Sequence, residues 1–255
     1  MHRRMFSGIA AAVCCLIAAC SYLPVYEPSL YPDVMIRENR SIITLVKTNV
    51  PVNPVGFMFY PGGFVDPHGY ITPLSRIADA GIPVMVVKVP GNLAVFSPDA
   101  GIAFTNSING VIRWVIGGHS LGGVMAAESV KAHPDVYAGI IFMASYTADG
   151  TDLSRWPHPV LSLSAEFDGL STPAKISNSL VRLPLPQSWI DGTNRTYPVT
   201  NAAYTMLHRI AGGNHAQFGA YGKQDGDGTA TLSADGQHAA MADYVNEFFV
   251  KNGWH

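Results

Sequence analysis

The stretch Val111-Ile112-Arg113-Trp114-Val115-Ile116-Gly117-Gly118-His119-Ser120-Leu121-Gly122-Gly123 carries the strongest structural signal in the chain. Its first half is an apolar run that predicts a buried strand, and residues 124–131 predict a helix. Between them, Gly118-x-Ser120-x-Gly122 places a serine at a sharp strand-to-helix turn. The flanking glycines are needed because a side chain at either position would collide with the neighbouring strand or helix. The pattern predicts a nucleophile elbow at Ser120.

Length and composition set the outer limits. The chain has 255 residues, of which 48% are hydrophobic and 13% are charged. This length favours one large α/β domain with a full core and is short for two domains. The formal net charge is -2, and no long run of Lys or Arg follows the first few residues. This charge balance argues against a nucleic-acid partner, so a small or neutral substrate fits better.

The N-terminus has the pattern of a targeting segment. Residues 1–19 begin with His2-Arg3-Arg4, continue as an Ala-rich apolar run and end in Ile17-Ala18-Ala19, directly before Cys20. The ending resembles the lipobox of bacterial lipoproteins, in which the cysteine is lipidated after cleavage. We therefore predict a signal peptide at 1–19, a lipid on Cys20 and an exported protein anchored to the cell envelope. The alternatives are plain secretion and retention of the run as an uncleaved anchor.

The remaining cysteines support this interpretation. Cys14 and Cys15 lie inside the segment that would be removed, so the mature chain would keep only Cys20. An internal disulfide, a cysteine nucleophile and a cysteine metal site are then excluded. Residues 20–40 contain several prolines and little periodicity, which predicts a tether, and the folded domain is expected to cover 41–255.

Strands and helices alternate through the rest of the chain. Strands are predicted at 41–47, 55–60, 82–89, 136–143 and 160–165, and helices at 70–80, from 98 towards 109, and at 236–252. The alternation predicts an α/β fold with a mostly parallel, doubly wound sheet, flanked by helices and with a minimal cap or none. Residues 183–206 lack a clear period, although strands are expected near 188–190 and 204–210. This segment is the candidate lid.

A serine nucleophile in this type of fold is followed along the chain by an acid and then by a histidine. Asp168 has the required setting, because it follows the strand at 160–165 and precedes Gly169 in a tight turn. Glu166 is a local competitor for the acid. Asp149 and Asp152 lie one strand earlier, at another position where the acid can occur.

His215 is the candidate base. It lies in the glycine-rich loop 211–219, and a general base needs a loop because its ring must reach the serine on one side and the acid on the other. His119 adjoins the serine and is expected to point away from it. The other histidines of the mature chain lack this setting or this order.

The third requirement is an oxyanion hole. One donor is the backbone N–H of Leu121, directly after the serine, and the other comes from the loop after an early strand. The predicted strand 55–60 ends in Pro61-Gly62-Gly63-Phe64, so the second donor is Gly63 or Phe64. One such donor stabilises a transition state by about 3–4 kcal/mol. The alternative is that the glycines only turn the chain.

Several strings together resemble a family of small bacterial α/β-hydrolases, many of them exported and distantly similar to dienelactone hydrolases and carboxylesterases. They are Tyr60-Pro61-Gly62-Gly63, Gly118–Gly123, Asp168-Gly169, Gly213–Gly222 and Gln224–Gly228. The resemblance covers nearly all of the mature chain and implies Ser120 as nucleophile, Asp168 as acid and His215 as base. The segment between Asp168 and His215 is longer than the family pattern, and the resemblance identifies no substrate.

The predicted function is that of a serine hydrolase acting on an ester, lactone or thioester, with no cofactor. The apolar residues Phe64 and Phe218 are expected near the mouth of the site. Asp225-x-Asp227-x-Thr229 lacks the distal glutamate and the spacing of a calcium loop, so we predict a solvated turn and no metal. The alternatives are an acyltransferase or peptidase with the same triad, and a lipid-anchored binding protein without turnover.

Overall fold

The computed structural model describes Tyr22, residues 31–184, the backbone of 186–188, and residues 203–254. The predicted signal peptide at 1–19, the predicted lipidation site Cys20 and most of the candidate lid at 183–206 lie outside these residues. Within the described part of the chain, no helix combines the length and the apolar character that crossing a membrane requires.

One sheet organises the described residues. Its nine strands are β1 Val34–Glu38, β2 Ile42–Lys47, β3 Val55–Tyr60, β4 Val84–Val87, β5 Arg113–His119, β6 Tyr137–Met143, β7 Val160–Ala165, β8 Pro186–Ser188 and β9 Thr205–Ile210. The strand order is β1-β2-β4-β3-β5-β6-β7-β9-β8, and β2 alone runs against the other strands. The prediction of a mostly parallel sheet flanked by helices is confirmed.

Helices cover both faces of the sheet. They are α1 Ile71–Asp79, α2 Leu121–Ala132, α3 Pro173–Ser179 and α4 Ala234–Lys251. Alternate residues of β6 enter opposite cores: Ile141 joins a cluster that includes residues of α1 and α4, whereas Ile140 joins one that includes residues of α2. Because both faces are buried, the central strands have the continuous apolar runs from which they were predicted.

The sheet begins with an outer strand that was not predicted. Strand β1 lies inside the segment 20–40 that was predicted as a tether, so the sheet begins at Val34 rather than near Ser41. It pairs with β2 through a turn in which the Asn39 side chain accepts the N–H groups of Ser41 and Ile42. Only Val34 of this strand is fully buried, and such a one-sided five-residue edge strand has too few apolar positions for a clear period-2 signal.

Two further segments depart from their predicted form. The helix expected from 98 towards 109 is a 3₁₀ helix at Ala100–Phe104, in which Gly101 donates its N–H to the Tyr60 hydroxyl rather than to a helical carbonyl. Strand β9 lies in the region expected at 204–210. Of the strand expected at 188–190, only Ser188 is described, and it ends β8.

Candidate active site

Ser120 stands at the carboxyl end of β5, where the chain turns into α2. Its backbone has φ 53° and ψ -124°, a left-handed region that residues with a side chain rarely occupy. A Cβ built on Gly118 would lie 2.5 Å from the carbonyl oxygen of Tyr60, and one on Gly122 would lie 2.1 Å from the same atom. Both glycines are therefore required by the close approach of the elbow to β3.

Hydrogen bonds hold the elbow in its strained form. The Ser120 N–H donates to the carbonyl of Met143 at 3.0 Å, and the Ser120 carbonyl accepts the hydroxyl of Ser145 at 2.6 Å and the N–H groups of Gly123 and Val124. A backbone conformation of this kind costs about 1–3 kcal/mol and persists only where its surroundings fix it. These bonds tie Ser120 to β6 and α2 and so fix the position of the predicted nucleophile.

The predicted acid and base form a buried pair. Nδ1 of His215 lies 2.9 Å from Oδ2 of Asp168, and the exposed fractions of the two residues are 0% and 4%. The other carboxylate oxygen of Asp168 accepts the N–H groups of Leu170 and Ser171 at 2.8 and 2.7 Å. Asp168 thus holds Nδ1 of His215 as a donor, which makes Nε2 the proton acceptor. This Nε2 is buried and has no hydrogen-bond partner among the described residues.

The competing carboxylates are engaged elsewhere. Glu166 accepts the N–H of Gly212 at 2.8 Å. Asp149 forms an ion pair with Arg182, and Asp152 accepts the N–H of Ser154. Asp168 is therefore the predicted acid that the structure brings to His215.

His215 also lies beside the elbow. Its ring centroid is 4.5 Å from that of His119, the residue directly before Ser120. The His119 ring stacks in turn on Phe218, with the ring centroids 5.7 Å apart. The loop that carries the predicted base is thus packed against the strand end that carries the predicted nucleophile, and apo geometries of such pairs commonly tighten when substrate binds.

The predicted oxyanion donors fall into two groups. The Phe64 N–H donates to the carbonyl of Asn92 at 2.8 Å and is already engaged, whereas the N–H groups of Gly63 and Leu121 have no acceptor within the described residues. A Cβ built on Gly63 would lie 3.1 Å from Cδ2 of Leu121, so these two residues are neighbours. The geometry favours Gly63 over Phe64 as the second donor.

Sequence reasoning missed the role of Tyr70. Its hydroxyl accepts the N–H of Gly62 at 2.9 Å and lies 2.8 Å from Nδ1 of His119. While it accepts from Gly62, the hydroxyl can donate its one proton to Nδ1 of His119, and this direction requires a neutral imidazole with the ring proton on Nε2. Desolvation, followed by the nearby His215, lowers the pKa of His119 well below its ordinary value, which agrees with a neutral ring. The pair links the oxyanion loop, residues 61–66, to the residue before the nucleophile.

The predicted solvated turn is present, with residues 225 and 226 exposed, but the carboxylate of Asp227 beside it is saturated by backbone donors. Oδ1 accepts the N–H groups of His215, Gly169 and Gly228, and Oδ2 accepts that of Ala216. Asp227 therefore fastens the loop of the predicted base to the loop of the predicted acid. The sequence signal was its membership of the string 224–228, which contributed to the family resemblance without indicating a role. Among the described residues, no three metal-binding side chains come together.

A cavity of about 600 Å³ lies between the loop 211–219, which carries His215, and residues of the segment 222–238. Its lining includes Thr72, Gln217, Asp227 and His238, and it contains none of Ser120, Asp168 and His215. The cavity is thus lined by Asn214 and Ala216, the neighbours of His215, and not by the predicted catalytic groups themselves.

Comparison with known proteins agrees with this geometry. A family model described as "Alpha/beta hydrolase family" matches residues 56–239, which include the elbow, Asp168 and His215. The chain belongs to the alpha/beta hydrolase family. The predicted membership of a hydrolase family of this fold is thereby confirmed. No curated protein matches this α/β-hydrolase in sequence.

Solved structures share the fold of this α/β-hydrolase at low sequence identity. A predicted CIB-like hydrolase from Thermoplasma acidophilum has 15% identity and a TM-score of 0.57, covering 84% of this chain and 99% of that one. A thermostable esterase from Pseudomonas putida has 15% identity and a TM-score of 0.58, covering 94% and 88%. Est1E from Butyrivibrio proteoclasticus has 10% identity and a TM-score of 0.54, covering 86% and 98%.

Proposed function

We propose that this α/β-hydrolase is a serine hydrolase that cleaves an ester, lactone or thioester through an acyl-enzyme. The observation that carries the proposal is the buried hydrogen bond between His215 and Asp168, packed beside the strained elbow at Ser120. A histidine held in one tautomer by a carboxylate, next to a serine on a fixed turn, is the arrangement that activates a hydroxyl nucleophile. The esterases among the structural neighbours support the same class of substrate.

In the proposed first step, Oγ of Ser120 bonds to the substrate carbonyl carbon while Nε2 of His215 takes the hydroxyl proton. Asp168 stabilises the imidazolium that forms. The negative charge on the carbonyl oxygen is held by the N–H groups of Leu121 and Gly63, which are adjacent and free of other acceptors within the described residues. When the tetrahedral intermediate collapses, the carbon–oxygen or carbon–sulfur bond breaks and the leaving group takes the proton from His215.

In the second step, water gives a proton to Nε2 and its oxygen attacks the acyl carbon. The intermediate then releases the carboxylic acid and returns the proton to Ser120. Every step uses groups that belong to the chain or to water, so the proposed cycle needs no cofactor.

The direct test is hydrolysis of short p-nitrophenyl esters by the wild type and by Ser120→Ala. We expect measurable turnover in the wild type and a loss of at least about 10³-fold in the variant, which lacks the nucleophile. Ser145→Ala is the matched control: it removes a nearby hydroxyl that holds the elbow but is not the nucleophile, so its loss of rate should be far smaller than that of Ser120→Ala. Equal rates in wild type and Ser120→Ala would refute the proposal.

We also propose that the chain is exported and carries a lipid on Cys20. The support is the basic start, the apolar run and the lipobox-like ending of residues 1–20. In the native host, Cys20→Ala should stay unlipidated and unprocessed, as measured by intact mass. An unchanged mass and unchanged membrane fractionation would contradict this proposal.

A further inference from the structure

Tyr22 lies beside the oxyanion loop. Its N–H donates to the carbonyl of Phe64 at 2.9 Å, and its carbonyl accepts the N–H of Asp66 at 3.1 Å, so it pairs in parallel with this loop. Its ring lies 5.5 Å from that of Tyr221, which belongs to the segment after the predicted base. Tyr22 therefore contacts both loops that flank the proposed catalytic groups.

Covalent geometry extends this contact to the predicted lipid. Two residues of extended chain span at most about 7 Å, so covalent geometry limits the separation between a lipid-bearing Cys20 and Tyr22 to that length. A lipid on Cys20 would then enter the bilayer close to the oxyanion loop. Ser21 alone would then separate the lipid-bearing residue from one that is hydrogen-bonded to the domain.

Two exposed apolar side chains lie at the same end of the strands as Ser120. The carbonyl of Asn92 accepts the N–H of Phe64, and the chain continues into a 3₁₀ helix at Ala94–Phe96. In this helix the side chains of Val95 and Phe96 are 50% and 69% exposed. Exposed apolar side chains beside a lipid anchor are suited to the boundary between headgroups and acyl chains.

We propose that the carboxyl end of the central strands, where Ser120 lies, faces the bilayer in which the Cys20 lipid is embedded. Val95 and Phe96 would then touch the membrane surface. The substrate class is then an ester with an apolar chain, presented to the site from the membrane interface. This inference rests on the proposed hydrolase function and on the proposed lipidation, and it deepens the first by naming where the substrate resides.

The orientation is tested without catalysis, on the full lipidated chain in vesicles that contain brominated phospholipids. Phe96→Trp is compared with Ile112→Trp, after subtraction of the wild-type signal from the native tryptophans. Ile112 is the matched control, because it is 78% exposed and directly precedes β5, at the amino end of the central strands. We expect quenching of the new tryptophan to be several times stronger at 96 than at 112. Equal quenching, or stronger quenching at 112, would overturn the orientation.

A second measurement tests the role of the short connection. A flexible Gly-Ser linker inserted between Ser21 and Tyr22 leaves the lipid in place but frees the domain to turn away from the bilayer. We expect a severalfold slower hydrolysis of a long-chain ester embedded in vesicles, with the rate on a short soluble ester unchanged. An unchanged ratio of the two rates would overturn the inference.

Failure of the premises is distinguishable from failure of the orientation. A wild type that hydrolyses neither ester would refute the hydrolase function, whereas the quenching comparison would still decide the orientation. A mature chain whose mass shows no lipid on Cys20 would overturn the inference itself, because nothing would then hold this end of the strands at the bilayer.

Discussion

The hydroxyl of Tyr70 lies 2.8 Å from Nδ1 of His119 while it accepts the N–H of Gly62 at 2.9 Å. Through these two bonds a buried side chain of the segment before α1 connects the end of β5, which leads into Ser120, to the proposed oxyanion loop. A Cβ built on Gly62 would lie 2.9 Å from both His119 Nδ1 and the Tyr70 oxygen, which shows how closely the three residues are packed.

Tyr70→Phe should therefore lower kcat more than it raises KM. The change removes one hydroxyl, leaves two buried polar groups without a partner and releases the loop that carries Gly63. We expect a fall in kcat of about tenfold or more, and a loss of about 1–3 kcal/mol in the free energy of unfolding. Steady-state kinetics on a short ester and urea unfolding measure the two effects.

The matched control is Tyr221→Phe. Tyr221 is also buried, and its hydroxyl donates to Gln224, away from Gly62. A smaller loss of stability and no fall in kcat are expected for this variant, because Gln224 is only partly buried and can bond to water instead. If both variants retained equal kcat, the link between Tyr70 and the oxyanion loop would have no catalytic role.

Asp168→Asn tests the acid. The N–H groups of Leu170 and Ser171 keep the amide oxygen on their side, so the amide NH2 faces Nδ1 of His215 and the imidazole loses the tautomer that its role as base requires. We expect kcat to fall by about 10⁴-fold, as in other triads of this kind. Glu166→Gln should remain close to wild type, because Glu166 bonds Gly212 and not the histidine. A larger loss in Glu166→Gln than in Asp168→Asn would reassign the acid.

Asp227→Ala should destabilise the two loops that carry His215 and Asp168, although Asp227 has no proposed catalytic role. The change deprives four backbone N–H groups of their shared acceptor, including that of His215. We expect the free energy of unfolding to fall by about 3 kcal/mol, with a parallel loss of activity. The control is Asp225→Ala, since Asp225 is exposed and makes no hydrogen bond or ion pair with the described residues. Equal unfolding midpoints for the two variants would contradict this role.

The buried imidazole of His119 is expected to make the free energy of unfolding depend on pH. Its pKa is lowered in the folded state by burial and by His215, whereas in the unfolded chain it is near 6.5. Below pH 6.5 the unfolded state therefore binds a proton that the folded state does not, so stability is complete above this pH and is lost as the pH falls towards the lowered value. The slope is at most about 1.4 kcal/mol per pH unit for this residue.

The test for His119 uses His119→Asn, whose Oδ1 can still accept the Tyr70 hydroxyl but does not titrate. Urea unfolding between pH 7.5 and about 5 should show a shallower loss of stability in the variant than in the wild type. The remaining slope is expected, because burial also lowers the pKa of His158, His208 and His238. Identical slopes would show that His119 is not held neutral.

The parts of the fold predicted correctly are those with a local physical cause. The elbow followed from glycines whose absent Cβ atoms would otherwise meet the Tyr60 carbonyl. The central strands followed from apolar runs that helices cover on both sides. The order of Ser120, Asp168 and His215 along the chain was enough to propose a triad, and the structure joins the last two.

The parts that were missed depend on contacts between distant segments. The carbonyl of Asn92, far along the chain, occupies the Phe64 N–H, and this contact is what favours Gly63 as the proposed second donor. The Asp227 carboxylate binds backbone N–H groups, and because almost every residue has one, the sequence does not indicate which residues are its partners. Tyr70 and His119 are 49 positions apart, and no pattern within either segment relates them.

The central claim is that Ser120 is a hydroxyl activated by His215 and Asp168, and active-site labelling tests it most directly. The wild-type chain is treated with a fluorophosphonate probe, digested and examined by mass spectrometry, beside Ser120→Ala and His215→Ala. We expect one phosphonylated serine, Ser120, in the wild type and no labelling in either variant. An unlabelled wild type, or a label on another serine that persists in Ser120→Ala, would contradict it.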